Sequence, residues 1–253
     1  MTNMSQSAGP RRAHRTAFVA GALRWAATRY SFVEDEVSGL GEVVRTGDVC
    51  LDVGAEYGLY TWTLAALAGP TGHVHSVEPL PGPARWLSFT ARALGCDNVT
   101  VHHAALGAAA GTGVLDLPIR RGLPVHGRAF LATSASGKGP NSEFRSSRLV
   151  PTDVLTVDGL VSRYGIDKVG FIKADVEGAE LAVLSGAGET LRTHRPSVML
   201  EIEDRHLEKY GATASAVAGH LRDLGYRMRR WRDGTWVDVE RVTIDCRNYL
   251  FVP

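Results

Sequence analysis

A chain of 253 residues with 28 basic and 27 acidic side chains can bury one substantial core, and its net charge of +1 creates no field that would select nucleic acid or an anionic membrane. No apolar run approaches the roughly 20 residues of a membrane span, and the strongest N-terminal candidate, 17–27, is interrupted by Arg24, so neither a signal peptide nor an anchor is expected. Cys50, Cys96 and Cys246 are odd in number and fit no zinc spacing, which reads as reduced thiols in a cytoplasmic protein.

Residues 1–10 mix Met, Ser, Asn, Gly and Pro without periodicity and are expected to be disordered. Residues 11–46 read as a helical N-terminal cap: an amphipathic helix from Arg12 to Tyr30, then a short apolar helix before the turn Thr46-Gly47-Asp48. From 47 to 253 strand and helix signals alternate, the pattern of a doubly wound, mostly parallel sheet covered by helices on both faces. Strands are predicted at Val49 to Val53, His73 to Val77, Val99 to His103, Val169 to Ala174 and Ser197 to Ile202. Helices are predicted at Tyr57 to Ala68, Pro83 to Leu94, Val157 to Tyr164, Ala179 to Thr193 and Ala214 to Leu224. Tyr226 to Trp231 and Val242 to Val252, with the turn Asp233-Gly234 near them, predict an antiparallel C-terminal hairpin. One stretch breaks the alternation: 117–150, rich in Gly, Ser, Pro and Arg, reads as a loop insertion, either a lid over the site or a floppy excursion.

The most informative string is Val49-Cys-Leu-Asp-Val-Gly-Ala-Glu-Tyr-Gly-Leu-Tyr-Thr61, an apolar strand ending in acid and glycine and running into a helix. In a doubly wound sheet the carboxyl end of the first strand opens into the ligand crevice. Gly54 and Gly58 let the backbone turn sharply and approach a ligand, and Asp52 supplies hydrogen-bond capacity beneath it. The next strand ends in Val77-Glu78, and Glu78 is placed to accept both ribose hydroxyls of an adenosine. The glycine pattern is G-x-x-x-G, with Glu56 where a dinucleotide fingerprint needs its second glycine; a pyrophosphate would meet a carboxylate there, which argues against NAD or FAD. At the third strand end, His103 reads as a base, an adenine neighbour or a locally satisfied imidazole, with Ala105 beside it.

Further on, Val169-Gly-Phe-Ile-Lys-Ala-Asp-Val-Glu-Gly-Ala-Glu180 delivers Lys173, Asp175 and Glu177 together at a buried strand end, where charges are costly unless paired or used. With these strings in order, and with Leu184 to Ala187 and the closing Asn248-Tyr-Leu-Phe-Val-Pro253, the chain resembles the FkbM family of methyltransferases over most of 43–253. The resemblance implies a class I methyltransferase fold, S-adenosylmethionine as methyl donor, and O-methylation of a hydroxyl on a sugar or polyketide-type secondary metabolite. It places Asp52, Gly54, Ala55, Gly58 and Glu78 at the cofactor, and Asp175 with Glu177 where donor and acceptor meet. The family commonly has Asn where Glu56 stands, so a neutral contact to the methionine end is replaced here by an acid.

Methyl transfer requires the acceptor oxygen to be positioned in line and to lose its proton as it attacks. Asp175 and Glu177 are the first candidates for the base; Glu201, with Glu203 beyond it, forms a second acidic pair able to orient the acceptor. Carboxylates from two adjacent strand ends also have the donor chemistry for Mg²⁺, the second choice after transfer without metal. The expected partner is a small hydroxylated acceptor near the insertion and the aromatic Tyr30 and Phe32; Arg120, Arg121, Arg145 and Arg148 read as solvated charges or as a grip on a phosphorylated acceptor. N-methylation, a silent binding module and, more remotely, a nicotinamide oxidoreductase remain the alternatives. No sequence pattern specifies an oligomeric state.

Overall fold

The computed structural model describes residues 34–253. The tail 1–10, the helix expected from Arg12 to Tyr30, and Tyr30 and Phe32 lie outside the described residues. The chain enters through a 3₁₀ helix, Asp35–Glu42, whose Val37 and Leu40 are buried. Gly39 is required there: a Cβ would sit 2.3 Å from the Trp231 ring, and its carbonyl accepts the Trp236 indole N–H at 3.1 Å.

Thereafter the chain forms β1 (Val49–Val53), α1 (Leu59–Ala68), β2 (His73–Val77), α2 (Pro81–Leu94) and β3 (Val99–His102). After the excursion described below come α3 (Val157–Tyr164), β9 (Val169–Ala174), α4 (Glu180–Ser185), α5 (Gly188–Thr193) and β10 (Ser197–Glu201). The chain closes with α6 (Asp204–Leu207), α7 (Ala214–Asp223), β11 (Arg227–Arg232), β12 (Thr235–Asp238) and β13 (Asn248–Val252). The main sheet has the order β12-β11-β13-β10-β9-β1-β2-β3. Its β3-β2-β1-β9-β10 portion is parallel, and β13 runs antiparallel between β10 and β11. The strand order reverses between β1 and β9, so their carboxyl ends part to leave the crevice where such sheets bind ligands. Of the parallel strands, β1, β9 and β10 are mainly apolar, as helices covering both faces demand, while β2 and β3 mix valine with His, Ser and Thr.

Three expectations are corrected. The 117–150 segment is not a structureless loop. Two long strands, β5 (Gly111–Arg120) and β8 (Ser146–Leu155), pair antiparallel in unbroken register from Gly111↔Val154 to Ile119↔Ser146. With β4 (Ala105–Leu106), β6 (Leu123–Pro124) and β7 (Phe130–Leu131) they make a second sheet, so 117–150 starts and ends in long strands and is filled between them by two short strands and 3₁₀ turns. Its prolines and glycines masked the alternation. The helix expected from Ala179 to Thr193 is two helices, because Gly186 packs so closely on Gly107 that a Cβ would lie 2.1 Å from the Gly107 carbonyl oxygen. Asp158 then caps the second helix, accepting from the Glu189 and Thr190 N–H groups at 2.9 and 2.8 Å. Finally, the expected C-terminal antiparallel pairing is present, β11 against β13, but its second strand begins at Asn248 rather than Val242, and Asp233-Gly234, both at positive φ, join β11 to a further antiparallel strand, β12. The chain from Val242 to Arg247 is instead pinned by the Tyr249 hydroxyl, which accepts the Thr243 N–H at 2.7 Å.

Candidate active site

The parted strand ends open into a cavity of about 480 Å³. Its floor is the turn after β1. Gly54, at φ +81°, donates its N–H to the Val77 carbonyl at 2.9 Å and lies so close to the next strand that a Cβ would sit 1.9 Å from the Asp175 carbonyl oxygen. Only glycine fits. Glu56 follows in a left-handed conformation (φ +45°) and lines the cavity; burial, then Asp175, Glu177 and Glu34, push its carboxyl upward.

Glu78, at the end of β2, is 4% exposed and faces the same cavity. Its two oxygens accept the N–H groups of Glu56 (2.9 Å) and Leu80 (2.7 Å), which fixes the carboxylate while leaving each oxygen a further lone pair. Burial pushes its pKa up to about 7 against the pull of those two N–H donors. Ala104, Ala105 and Leu106 form an apolar wall beside it.

Asp52, Ala55 and Gly58 support this floor without lining the cavity. Asp52 is buried in β1, accepts the Thr61 hydroxyl at 2.5 Å, and is pushed up to about 6 by burial. Ala55 packs with Trp62 and Leu87, and Gly58 (φ +94°) opens α1 where a Cβ would strike the Trp62 indole. His103 is the placement to correct. β3 ends at His102, which turns inward onto His75 (2.9 Å), so His103 faces solvent and is not in the cavity wall.

The opposite wall comes from β9, β10 and the turns after them. Asp175, Glu177, Glu201 and Glu203 all line it, as expected. Beneath them Lys173 is completely buried, its Nζ 3.1 Å from Asn248 Oδ1, 3.7 Å from Asp175 and 5.0 Å from the centre of the Tyr60 ring. Burial opposes its charge, but Asp175, Glu34, Glu201 and Glu36 outweigh that and keep the ammonium protonated. Glu201 is driven strongly upward by burial and by the Asp175 carboxylate to which it is hydrogen-bonded, so Glu201 carries the proton of this pair. Glu203 is held below its usual range despite partial burial, by Arg205 at 2.5 Å and Arg247 at 3.3 Å.

Arg128 and His206 had no motif to announce them, and Glu180 had one but no role read from it. Glu180 is buried, and its Oε1 accepts the N–H groups of Val176 (3.3 Å) and Gly178 (3.1 Å), bracing the turn that presents Asp175 and Glu177. Glu177 itself is left-handed (φ +55°) and contacts both Arg128 (3.8 Å) and the Nδ1 of His206. Arg128 comes from the 117–150 segment, where Asn141 accepts from its guanidinium (3.0 Å) and donates to its carbonyl (2.6 Å). That segment, from His126 to Leu131, closes one side of the cavity. Among the four arginines singled out there, Arg120 pairs with Glu143 at 3.4 Å, and all four are exposed.

The cavity therefore carries seven carboxyl side chains (Glu34, Glu56, Glu78, Asp175, Glu177, Glu201, Glu203) against the guanidinium groups of Arg128, Arg205 and Arg247. A pyrophosphate would be repelled, whereas a cationic sulfonium compound bearing an adenosine would find an acceptor for its ribose and an apolar wall for its base. Asp175, Glu177 and Glu203 are paired with Lys173 and the arginines, and among the described residues no three His, Cys, Asp or Glu side chains converge as a metal site. Among the described residues no helix is long and apolar enough to cross a membrane.

Comparison with known proteins agrees with this geometry. The sequence model of the Methyltransferase FkbM domain matches residues 52–228. The 31-O-demethyl-FK506 methyltransferase FkbM of Streptomyces tacrolimicus is 29% identical, over 79% of this chain and 80% of that protein. A protein-L-isoaspartate O-methyltransferase of Ignicoccus hospitalis is 41% identical over only 23% of this chain, and the match spans 28% of that protein. Among solved structures, a methyltransferase FkbM from Methylobacillus flagellatus KT superposes with a TM-score of 0.52 at 16% identity; the match covers 96% of this chain and 58% of that one, and it shows the shared fold.

Proposed function

This chain belongs to the FkbM methyltransferase family, and we propose that it methylates a hydroxyl oxygen of a small molecule, a sugar or a polyketide-type secondary metabolite. S-adenosylmethionine is the methyl donor. The observation that carries the assignment of its seat is the Glu78 carboxylate, oriented by two backbone N–H groups and turned into an acidic cavity at the sheet's switch point.

Glu78 would hold the ribose hydroxyls, Ala104 to Leu106 would flank the base, and the turn at Gly54 would admit the methionine portion against the backbone. When bound, the cofactor supplies an electrophilic methyl group on a positively charged sulfur. The protein's contribution is position and field. The Asp175–Glu201 pair on Lys173 places negative charge at the junction of the donor and acceptor regions, and Glu177 and Arg128 form its far edge. The His126 to Leu131 segment walls one side of the cavity, which limits its exposure to solvent. The acceptor enters between that segment and the Glu203–Arg205–Arg247 cluster, whose polar groups suit a hydroxylated molecule.

The 31-O-demethyl-FK506 named for the Streptomyces relative is the natural first acceptor, followed by hydroxylated macrolides and sugars. Incubation with isotopically labelled S-adenosylmethionine should place the label on an acceptor oxygen, located by fragmentation mass spectrometry. Label found only on amines across the panel would refute O-methylation.

A further inference from the structure

Loss of the acceptor's proton requires a base with a free lone pair. Resting on the methyltransferase reading above, we propose that this base is His206, with Glu177 as its positioning residue. His206 lies in the first turn of α6, is 3% exposed, and lines the cavity. Its Nδ1 lies in ion-pair contact with Glu177 Oε2, and neither ring nitrogen has a hydrogen-bond partner of normal geometry among the described residues, so Nε2, away from the carboxylate, has no polar neighbour of its own. A buried ring nitrogen left unmatched costs free energy unless a ligand completes it. A carboxylate at Nδ1 holds the ring proton there, which leaves the Nε2 lone pair as acceptor and stabilises the imidazolium once a second proton arrives.

The backbone is built around this contact. Glu177 occupies the left-handed region, a strained choice for a side chain of its size, and the buried Glu180 carboxylate holds it there through the N–H groups on either side. Gly178, next to it, packs on α6 so closely that a Cβ would lie 2.1 Å from the His206 carbonyl oxygen. The turn after β9 and the start of α6 are thus interlocked, and the lock sets Glu177 against His206. Asp175 is committed to Lys173 and Glu201, Glu203 to two arginines, and His126 to the Tyr57 hydroxyl at 2.9 Å, while Glu56 lines the cavity from the turn after β1, on the side assigned to the cofactor.

In the step assigned here the acceptor's O–H bond breaks and its proton forms a bond to Nε2. The electron pair of that bond stays on oxygen, where the methyl transfer consumes it. The resulting imidazolium is balanced by Glu177 and returns its proton to water after product leaves.

The test uses the full chain saturated with S-adenosylhomocysteine and labelled with ¹⁵N-histidine, the His206 signals being identified by their loss in His206→Gln. The proposal expects the Nδ1–H tautomer at His206 in the wild type, converting to Nε2–H in Glu177→Ala. It expects His206→Gln to bind S-adenosylhomocysteine within a few-fold of wild type while turnover of the labelled-methyl assay falls roughly 10²–10⁴-fold. A proton on Nε2 in the neutral wild-type ring overturns it whatever acceptor is used, as does full turnover by His206→Gln. Absence of S-adenosylhomocysteine binding by the wild type would instead be a failure of the methyltransferase site itself, and would be seen before either variant is made.

Discussion

The Glu78 carboxylate accepts the backbone N–H of Glu56 at 2.9 Å, so the side chain that ends β2 also sets the turn that follows β1. Its second oxygen does the same for Leu80. The acid assigned to the ribose is therefore not an isolated hook. It is part of the frame of the crevice, and its ionisation couples the shape of the turn to occupancy of the cavity.

That coupling predicts a pH dependence. In the free protein burial pushes Glu78 up to about 7, so at about pH 6 it is mostly protonated and at about pH 8 mostly ionised. Ribose hydroxyls donate best to the ionised form. Affinity for S-adenosylhomocysteine should rise through neutrality, by at most about tenfold per pH unit, and level off above the shifted pKa. Below it, binding should release a proton, visible in calorimetry as a heat that differs between buffers of different ionisation enthalpy. An affinity that is flat with pH and buffer-independent would mean that Glu78 is ionised throughout or makes no contact.

Gly54→Ala should be severe. The new Cβ meets backbone at 1.9 Å, and the residue sits at φ +81°, so neither neighbour can move cheaply. A loss of about 2 kcal/mol or more of stability is expected, with cofactor binding lost as the turn opens. Gly219→Ala is the control: it lies within α7 with open space around it and should gain about 0.5–1 kcal/mol. Thermal melts of the two variants should move in opposite directions, and a benign Gly54→Ala would show that the turn is looser than described.

Glu180→Ala removes the acceptor of the Val176 and Gly178 N–H groups and should cost about 1–3 kcal/mol. Because Glu177 then loses its brace, turnover should fall further than S-adenosylhomocysteine affinity does. Equal losses in both would point to general unfolding rather than release of one turn.

Asp175→Asn removes the charge that faces Lys173 and keeps the proton on Glu201. Circular dichroism should be unchanged while turnover falls roughly ten- to a hundredfold, since a fixed field at the reacting centre is lost. Wild-type turnover would remove Asp175 from the transfer site.

How much of this was legible depended on how local each cause is. β1 and β9 announce themselves as apolar runs and β2 as a Val-containing stretch between turn signals, and the residues at their ends, Gly54, Glu78, Asp175 and Glu177, are carried to one crevice by the topology. The second sheet was hidden because Gly111, Gly113, Pro118 and Pro151 lie within β5 and β8, where composition speaks for turns while register decides for strands. His103 was misplaced by one residue of strand length, enough to reverse which face a side chain occupies. His206 could not be found from spacing, since its partner Glu177 is 29 residues away and the contact exists only after Gly178 has brought the turn onto α6. Glu180 stood within the recognised string, but its purpose is a matter of turn geometry. A glycine just past a left-handed acid, with a further acid two residues on, was the only trace.

The most direct measurement is a calorimetric titration of wild type and Glu78→Ala with S-adenosylhomocysteine, side by side at about pH 8, where Glu78 is ionised. The account predicts saturable one-to-one binding by the wild type and a weakening of about 1–3 kcal/mol in the variant, the worth of the lost hydrogen bonds. No binding by the wild type, or equal affinity in both proteins, would contradict the assignment of this cavity as the cofactor's seat.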